Sequence, residues 1–225
     1  MLAFLFWFLF GGLFAEKVTH VQISYRDEIT RLTPAAEKGD LASQHRLGVI
    51  LRDGKAGKSD YAGALVWLRK AAGKGHAGAR YALGQMFAAG QGVRPSYPQA
   101  AKLYLSAAKF GGHADAGYAL GELYFFGQGV GQDYGAAIGW YKKAASQGHP
   151  AARAVLAAMY EKGWGVGLNL VEAFYWYSLA ATQAGRVRLY RPEMDVAAAL
   201  EKLSGRLSRL QMKKARAKLA ASRNK

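Results

Sequence analysis

Histidine recurs at one position in this chain: His76, His113 and His149 stand 37 and 36 residues apart. Three imidazoles around one ion would make a zinc site. The spacing argues against it, because a recurrence of that length puts each imidazole in a different structural unit. Equivalent positions two helices apart lie farther than the roughly 8–10 Å between adjacent axes, whereas zinc holds its nitrogens at about 2 Å. A polar residue opening one helix in each unit is the simpler reading. Gly57-Lys58-Ser59 ends like a phosphate-binding loop, but Arg52 stands where that loop needs its first glycine, and no strand precedes it. Gly90-x-Gly92 and Gly127-x-Gly129 begin like a dinucleotide fingerprint but lack its third glycine. Asp27-Glu28 are adjacent in a charged stretch and do not form a facing carboxylate pair. Cysteine is absent, which removes thiolate nucleophiles, disulfides and cysteine-ligated zinc together. The chain is therefore read as a non-enzyme with no catalytic residues, no metal, no cofactor and no small-molecule substrate.

The elements that carry these residues repeat. Ala-Ala pairs stand at Ala35, Ala71, Ala107, Ala144 and Ala180, with spacings of 36, 36, 37 and 36. Other columns fall into the same register: Gly54, Gly90, Gly127 and Gly163; Gly48, Gly84, Gly121 and Ala157; Asp60, Ser96, Asp133 and Asn169. Further on come Ala64, Ala100, Ala137 and Ala173, then Trp67, Leu103, Trp140 and Trp176, then Leu68, Tyr104, Tyr141 and Tyr177.

Each column has a physical reason. A side-chain oxygen at 60, 96, 133 and 169 is what a helix N-cap needs. The glycine at 54, 90, 127 and 163 closes the preceding apolar stretch as a residue of positive φ after a helix. Each unit thus reads as helix, glycine loop, helix, with Val93 and Val130 turned inward from the loops. Gly84 and Gly121 sit inside a helix, where glycine costs about 1 kcal/mol, and the expected compensation is close approach of a neighbouring helix backbone. The Trp and Tyr columns are expected to fill the space between helices. A single helix pair cannot bury both faces, so successive units must complete one another's core.

These columns resemble the Sel-one-like repeat (SLR), a relative of the tetratricopeptide repeat. Ala116–Gly148 carries the pattern almost position for position, and 78–108 and 151–181 match well. The period of 36 or 37 with an added Gly-x-Gly-Val loop separates it from the tetratricopeptide repeat of about 34 residues. The resemblance covers about 35–181 and is weakest in the first unit, where Gly54-Lys55-Ala56-Gly57 lacks the second glycine and valine in register. It implies an all-α, right-handed α-α superhelical solenoid of four helix pairs with C-terminal capping helices. It also implies an adaptor or scaffold for protein complexes, in bacteria often in the cell envelope.

The ends of the chain differ from its middle. Residues 1–15 (MLAFLFWFLFGGLFA) carry no charged side chain. They read as a signal peptide or an N-terminal membrane anchor, with a buried segment as the third alternative. Residues 16–34 form an N-terminal helical segment, 35–184 the solenoid and 185–225 basic capping helices and tail. In that last part, 191–203 and 208–221 read as two helices, with Pro192 in a first turn and Ser208 as a cap. The formal charge is +16, from 31 Lys and Arg against 15 Asp and Glu. Residues 201–225 hold nine of the bases and one of the acids.

Such a field draws anionic surfaces. The reading is an exported protein, periplasmic or membrane-anchored, that binds an acidic protein partner, with nucleic acid disfavoured. First helices tend to line the concave face of such solenoids. This points to Arg80, Gln85, Glu122, Phe125 and Arg153, with Tyr81 and Tyr118 partly exposed beside them, as partner-binding residues. The alternative is a basic polyanion-binding module for acidic polysaccharide, anionic membrane or nucleic acid.

Overall fold

Helix boundaries in this protein are set by side-chain caps that recur with the repeat. The computed structural model describes residues 24–223, all helices and turns with no strand. The expected signal or anchor at 1–15 lies outside the described residues. Two compact units divide the chain, Met1–Ser96 and Tyr97–Lys225. Helix α1 spans 24–37, followed by α2 (Leu41–Asp53), α3 (Tyr61–Gly73) and α4 (Ala77–Ala89) in the first unit. The second holds α5 (Tyr97–Phe110), α6 (Ala114–Phe126), α7 (Tyr134–Ser146), α8 (Pro150–Lys162) and α9 (Leu170–Ala181). It continues with α10 (Ala184–Tyr190), α11 (Val196–Ser204) and α12 (Arg209–Arg223).

Asp60, Asp133 and Asn169 each accept a bond from the backbone N–H three residues on, which makes them the N-caps of α3, α7 and α9. The histidine column does the same for the other helix of each pair. The Nδ1 atoms of His76, His113 and His149 accept from the N–H groups of Ala79, Ala116 and Ala152 at 3.1, 3.3 and 3.1 Å. Asp40 holds the equivalent place before α2, accepting from Ser43 at 2.7 Å. At the opposite ends, Gly54, Gly90, Gly127 and Gly163 adopt φ of 63, 68, 69 and 75°, the left-handed cap expected of the column.

Within the first unit α2 packs on α3 and α3 on α4; α1 is tied to α2 by the fork of Arg46 on Glu28, at 2.7 and 2.9 Å. In the second unit consecutive helices pack in order from α5 to α9, and α9 also packs against α11 and α12. The alanine column at 64, 100, 137 and 173 is fully buried. A Cβ on Gly121 would lie 2.7 Å from the Tyr141 ring, and one on Gly48 2.5 Å from Leu68. At Gly121 the small residue therefore makes room for a bulky side chain of the facing helix, and the expectation of backbone approach is corrected there; at Gly48 the Ala64 carbonyl oxygen also comes within 3.3 Å of the Cβ position. The two bulky columns also part company. Leu68, Tyr104, Tyr141 and Tyr177 are buried. Trp67, Leu103, Trp140 and Trp176 are only half-buried, and lysines lie over two of them: Lys70 is 4.4 Å from the Trp67 ring and Lys143 5.4 Å from the Trp140 ring.

The C-terminal part holds three helices where two were expected. The short α10 follows α9 directly, and Pro192 falls in the link after it, not in a first turn. Proline disfavours the α conformation in the residue before it, and Arg191 lies outside the helical region at φ −137°, ψ 75°. Helix α11 starts instead from Asp195, whose carboxylate accepts from the N–H groups of Ala197 and Ala198. Ser208 caps α12 reciprocally: its Oγ accepts from Gln211 N–H, and Gln211 Oε1 accepts from Ser208 N–H. Val187, Val196, Leu203 and Ala215 bury these helices in the core of the second unit. No helix of the described residues is long and apolar enough to cross a membrane.

Candidate interaction site

Two of the predicted partner-binding residues are spent on the fold. Arg80 donates from Nε to the carbonyl oxygen of Ala72 at 3.1 Å, and Arg153 to that of Ala145 at 3.2 Å. Gln44, at the equivalent position of the first repeat, donates to Ala36 at 2.8 Å. Each side chain reaches back eight residues to the last turn of the preceding helix, whose carbonyls lack helical partners. Ala36, Ala72 and Ala145 are the second members of their Ala-Ala pairs. The first members, Ala35, Ala71, Ala107 and Ala144, accept from the backbone N–H of Asp40, His76, His113 and His149. The Ala-Ala signature thus marks a turn stitched by two bonds. Burial pulls the Arg153 pKa below its ordinary value, against an opposing pull from Tyr175. Its guanidinium also edges a cleft of about 460 Å³ shared with Tyr175, Trp176 and Lys218.

Tyr81 and Gln85 lie one turn apart on α4 and are bonded, Gln85 Nε2 donating to the Tyr81 hydroxyl at 3.0 Å. Arg52 donates to Gln85 Oε1 at 2.7 Å. Tyr118 and Glu122 occupy the same two positions on α6, and an arginine meets them as well. Here it comes from the C-terminal part of the chain. Arg191 donates from Nε to the Tyr118 hydroxyl at 2.8 Å and from Nη2 to Glu122, which also accepts from the Tyr141 hydroxyl. Tyr118 is consequently buried, not partly exposed as expected; its ring stacks on His149 at 4.5 Å with 13° between planes. Burial, with the Glu122 charge adding to it, pushes the Tyr118 hydroxyl pKa far above the ordinary tyrosine value. Burial opposes the charge of Arg191, but Tyr118 and Glu122 outweigh it and hold the guanidinium above its usual range.

Asp115 completes this face of α6. His149 Nε2 lies 3.2 Å from Asp115 Oδ1 but off the hydrogen-bonding direction, and Tyr190 donates to the same oxygen at 2.8 Å. Because Nδ1 of His149 accepts from the backbone, the ring proton sits on Nε2, facing the carboxylate. The His149 contact, opposed by burial and joined by the Tyr190 hydroxyl, holds the Asp115 carboxyl down to about 2. Burial first, and then Asp115, push the Tyr190 hydroxyl up to about 12.

Phe125 stands at the open end of the same helix. It is half-buried beside Phe126, Tyr134 and Trp164, with ring centroids 5.0, 5.1 and 5.8 Å away. Phe126 is 52% exposed and Trp164 46%. Behind this aromatic ledge is a cleft of about 120 Å³ reaching Met159 and Met194. Trp164 is legible in the sequence as a departure, since the same loop position holds Gln91 and Gln128 in the preceding repeats. Asp115, Tyr190 and Arg191 give no such signal.

Among the described residues no group of His, Cys, Asp and Glu side chains gathers around a metal-sized site. His76, His113 and His149 cap three different helices. A family model described as the Sel1 repeat matches residues 41–76, 77–109, 114–149 and 150–184, more than half of the chain.

The chain belongs to the Sel1 repeat family.

Its fold class follows: an all-α solenoid of helix pairs. Sel1 repeats generally mediate protein–protein interaction as non-catalytic scaffolds. Among solved structures it is similar to c5321, a protective antigen present in uropathogenic Escherichia coli strains that displays an SLR fold. That match has 35% identity and a TM-score of 0.66, and covers 69% of this chain and 33% of that one. The chain therefore spans about a third of that antigen's length. A Sel1 repeat protein from Oxalobacter formigenes matches at 28% identity and a TM-score of 0.64, covering 76% of this chain and 73% of that one. No match was found among curated proteins.

Proposed function

We propose that this Sel1 repeat protein is a non-catalytic adaptor of the bacterial cell envelope whose second unit holds a protein partner on the Phe125–Phe126–Tyr134–Trp164 ledge. The observation that carries the reading is the ledge itself. Three neighbouring aromatics stay exposed in a chain whose other tyrosine and tryptophan columns are buried or half-buried, and exposed aromatics beside a cleft are what binding hot spots are made from. The charge of +16 favours an acidic partner, which it would steer toward the site. Export is supported by the uncharged run at 1–15, which suits a secretory signal or an anchor. N-terminal sequencing of the protein recovered from cells tests this arm, with a start at Glu16 expected for a cleaved signal. Cross-linking in spheroplasts followed by purification tests the adaptor itself. One dominant protein partner is expected with the natural chain and none with Trp164→Ala; a chain recovered alone in both cases contradicts the reading.

A second reading rests on a different observation. Arg209, Lys213 and Arg216 share one face of α12 along a shallow cleft of about 510 Å³ and have no carboxylate partner among the described residues. A polyanion would bind there. Its affinity would fall steeply with added salt and with charge-neutralising substitutions at these three positions, whereas binding at the ledge would not.

A further inference from the structure

The C-terminal helices do more than close the last repeat. Covering α8 and α9 is the work of Val187, Val196, Leu203 and Ala215, which are buried in the core. Tyr190 and Arg191 reach past those helices to α6, to residues 75, 73 and 69 positions earlier in the chain. They add little to the apolar cap, since Tyr190 is 37% exposed. What they contact is a reading surface: Asp115, Tyr118 and Glu122 follow one another along one face of α6 at steps of three and four residues.

The fit is that of a ligand in a site. The Tyr190 ring sits edge-on to Tyr118 at 5.8 Å and 4.7 Å from His149, with its hydroxyl on Asp115. The Arg191 guanidinium spreads over the Tyr118 hydroxyl and the Glu122 carboxylate. Pro192 keeps Arg191 out of the helical conformation, so that α10 ends there and the two side chains are both directed to α6. Although the chain as a whole is strongly basic, this face is acidic. Arg206, donating to Glu161 of α8, continues the same pattern of tail cations on first-helix carboxylates.

We propose that this face of α6 and α8 is a recognition site for an aromatic–arginine segment of a protein partner, and that Tyr190–Arg191 occupies it in cis until the partner displaces it. The proposal takes from the adaptor reading only that a protein partner exists; the site is defined by the chain's own contacts.

The test uses a fluorescent peptide of residues 186–193 as probe, titrated by anisotropy into the full chain and into Tyr190→Ala/Arg191→Ala. A site filled in cis lowers apparent affinity by the fraction of molecules that are open, so the variant is expected to bind the peptide at least about ten times more tightly than the natural chain. Adding Glu122→Gln to the opened variant should weaken binding again by about ten-fold, because a part-buried, charge-assisted hydrogen bond is lost. An opened variant that keeps cooperative unfolding yet binds no more tightly than the natural chain overturns the proposal. If the double variant does not fold, hydrogen exchange in the natural chain decides: saturating peptide should speed exchange at residues 188–194, and unchanged exchange overturns the proposal. The adaptor reading fails separately. If the natural chain captures no protein partner in spheroplasts while the peptide still binds the opened chain, that reading is removed and this site is left standing.

Discussion

Lys143 donates from its Nζ to the carbonyl oxygen of Ala108 across 2.9 Å. It makes the bond that Arg80 makes to Ala72 and Arg153 to Ala145. The donor position of those arginines is Gly117 in this repeat, which has no side chain to give, and the lysine reaches in from α7. The turns after Ala36, Ala72, Ala108 and Ala145 thus each receive a side-chain donor, from whichever helix can supply it.

Replacing Lys143 by methionine should leave the Ala108 carbonyl without its donor and cost about 1 kcal/mol, read by urea denaturation. Gly117→Arg should restore that loss in the Lys143→Met background. A Cβ at 117 meets nothing closer than 3.6 Å, and the new arginine would stand where Arg80 and Arg153 stand in their repeats. Failure of the arginine to rescue would mean that the shared bond is not what holds the turn.

Two glycines inside helices of the second unit should respond in opposite directions. A Cβ on Gly139 would meet no atom within 4 Å, and Gly139→Ala should stabilise the chain by about 0.4–1 kcal/mol. Gly121 faces the Tyr141 ring at 2.7 Å, and Gly121→Ala should cost about 1–3 kcal/mol even though alanine is the better helix former. Thermal melts of the pair check this; a stabilising Gly121→Ala would show that the small column is not making room for Tyr141.

Asp115 gives the contact between α6 and Tyr190 a pH dependence of known sign. Its carboxyl titrates at about 2 in the folded chain, below the ordinary carboxylate value of about 3.9, so between the two values the unfolded chain holds the extra proton. The stability it contributes is complete above the ordinary value and is lost as pH falls through about 2. Tyr190, raised to about 12, contributes stability that is complete below the ordinary tyrosine value of about 10 and is lost as pH rises through about 12. The stability difference between the natural chain and Asp115→Asn should therefore be large at neutral pH and shrink on acidification. A difference that stays constant down to pH about 2 would refute the contact.

What is legible in the sequence is local. A cap is settled by one side chain and an N–H three residues away, so Asp60, Asp133 and Asn169 can be read directly, as can the left-handed glycines after each first helix. The histidine column reads as helix-opening because its period forbids a shared ion, and the three caps agree. Arg80 and Arg153 pass for surface residues because a bond from a side chain to a carbonyl eight residues back leaves no mark in residue type. Their register with Gln44 is the available clue. Tyr118 and Glu122 cannot be placed from α6 alone, since the arginine that covers them comes from a link about 70 residues later whose start depends on the short α10.

Phe126→Ala and Trp164→Ala should each cost no more than about 1–2 kcal/mol, because both side chains are about half exposed. Both should abolish partner capture. A large loss of stability in either would make the ledge a structural feature.

The most direct measurement of the adaptor account is photo-cross-linking from single positions in spheroplasts, with the probe at Phe126 on the ledge or at Val66 on α3, both 52% exposed. The account predicts one discrete protein adduct from position 126, absent from position 66 and lost when Trp164→Ala is added. The same adducts from both positions, or an adduct at 126 indifferent to Trp164, would contradict it.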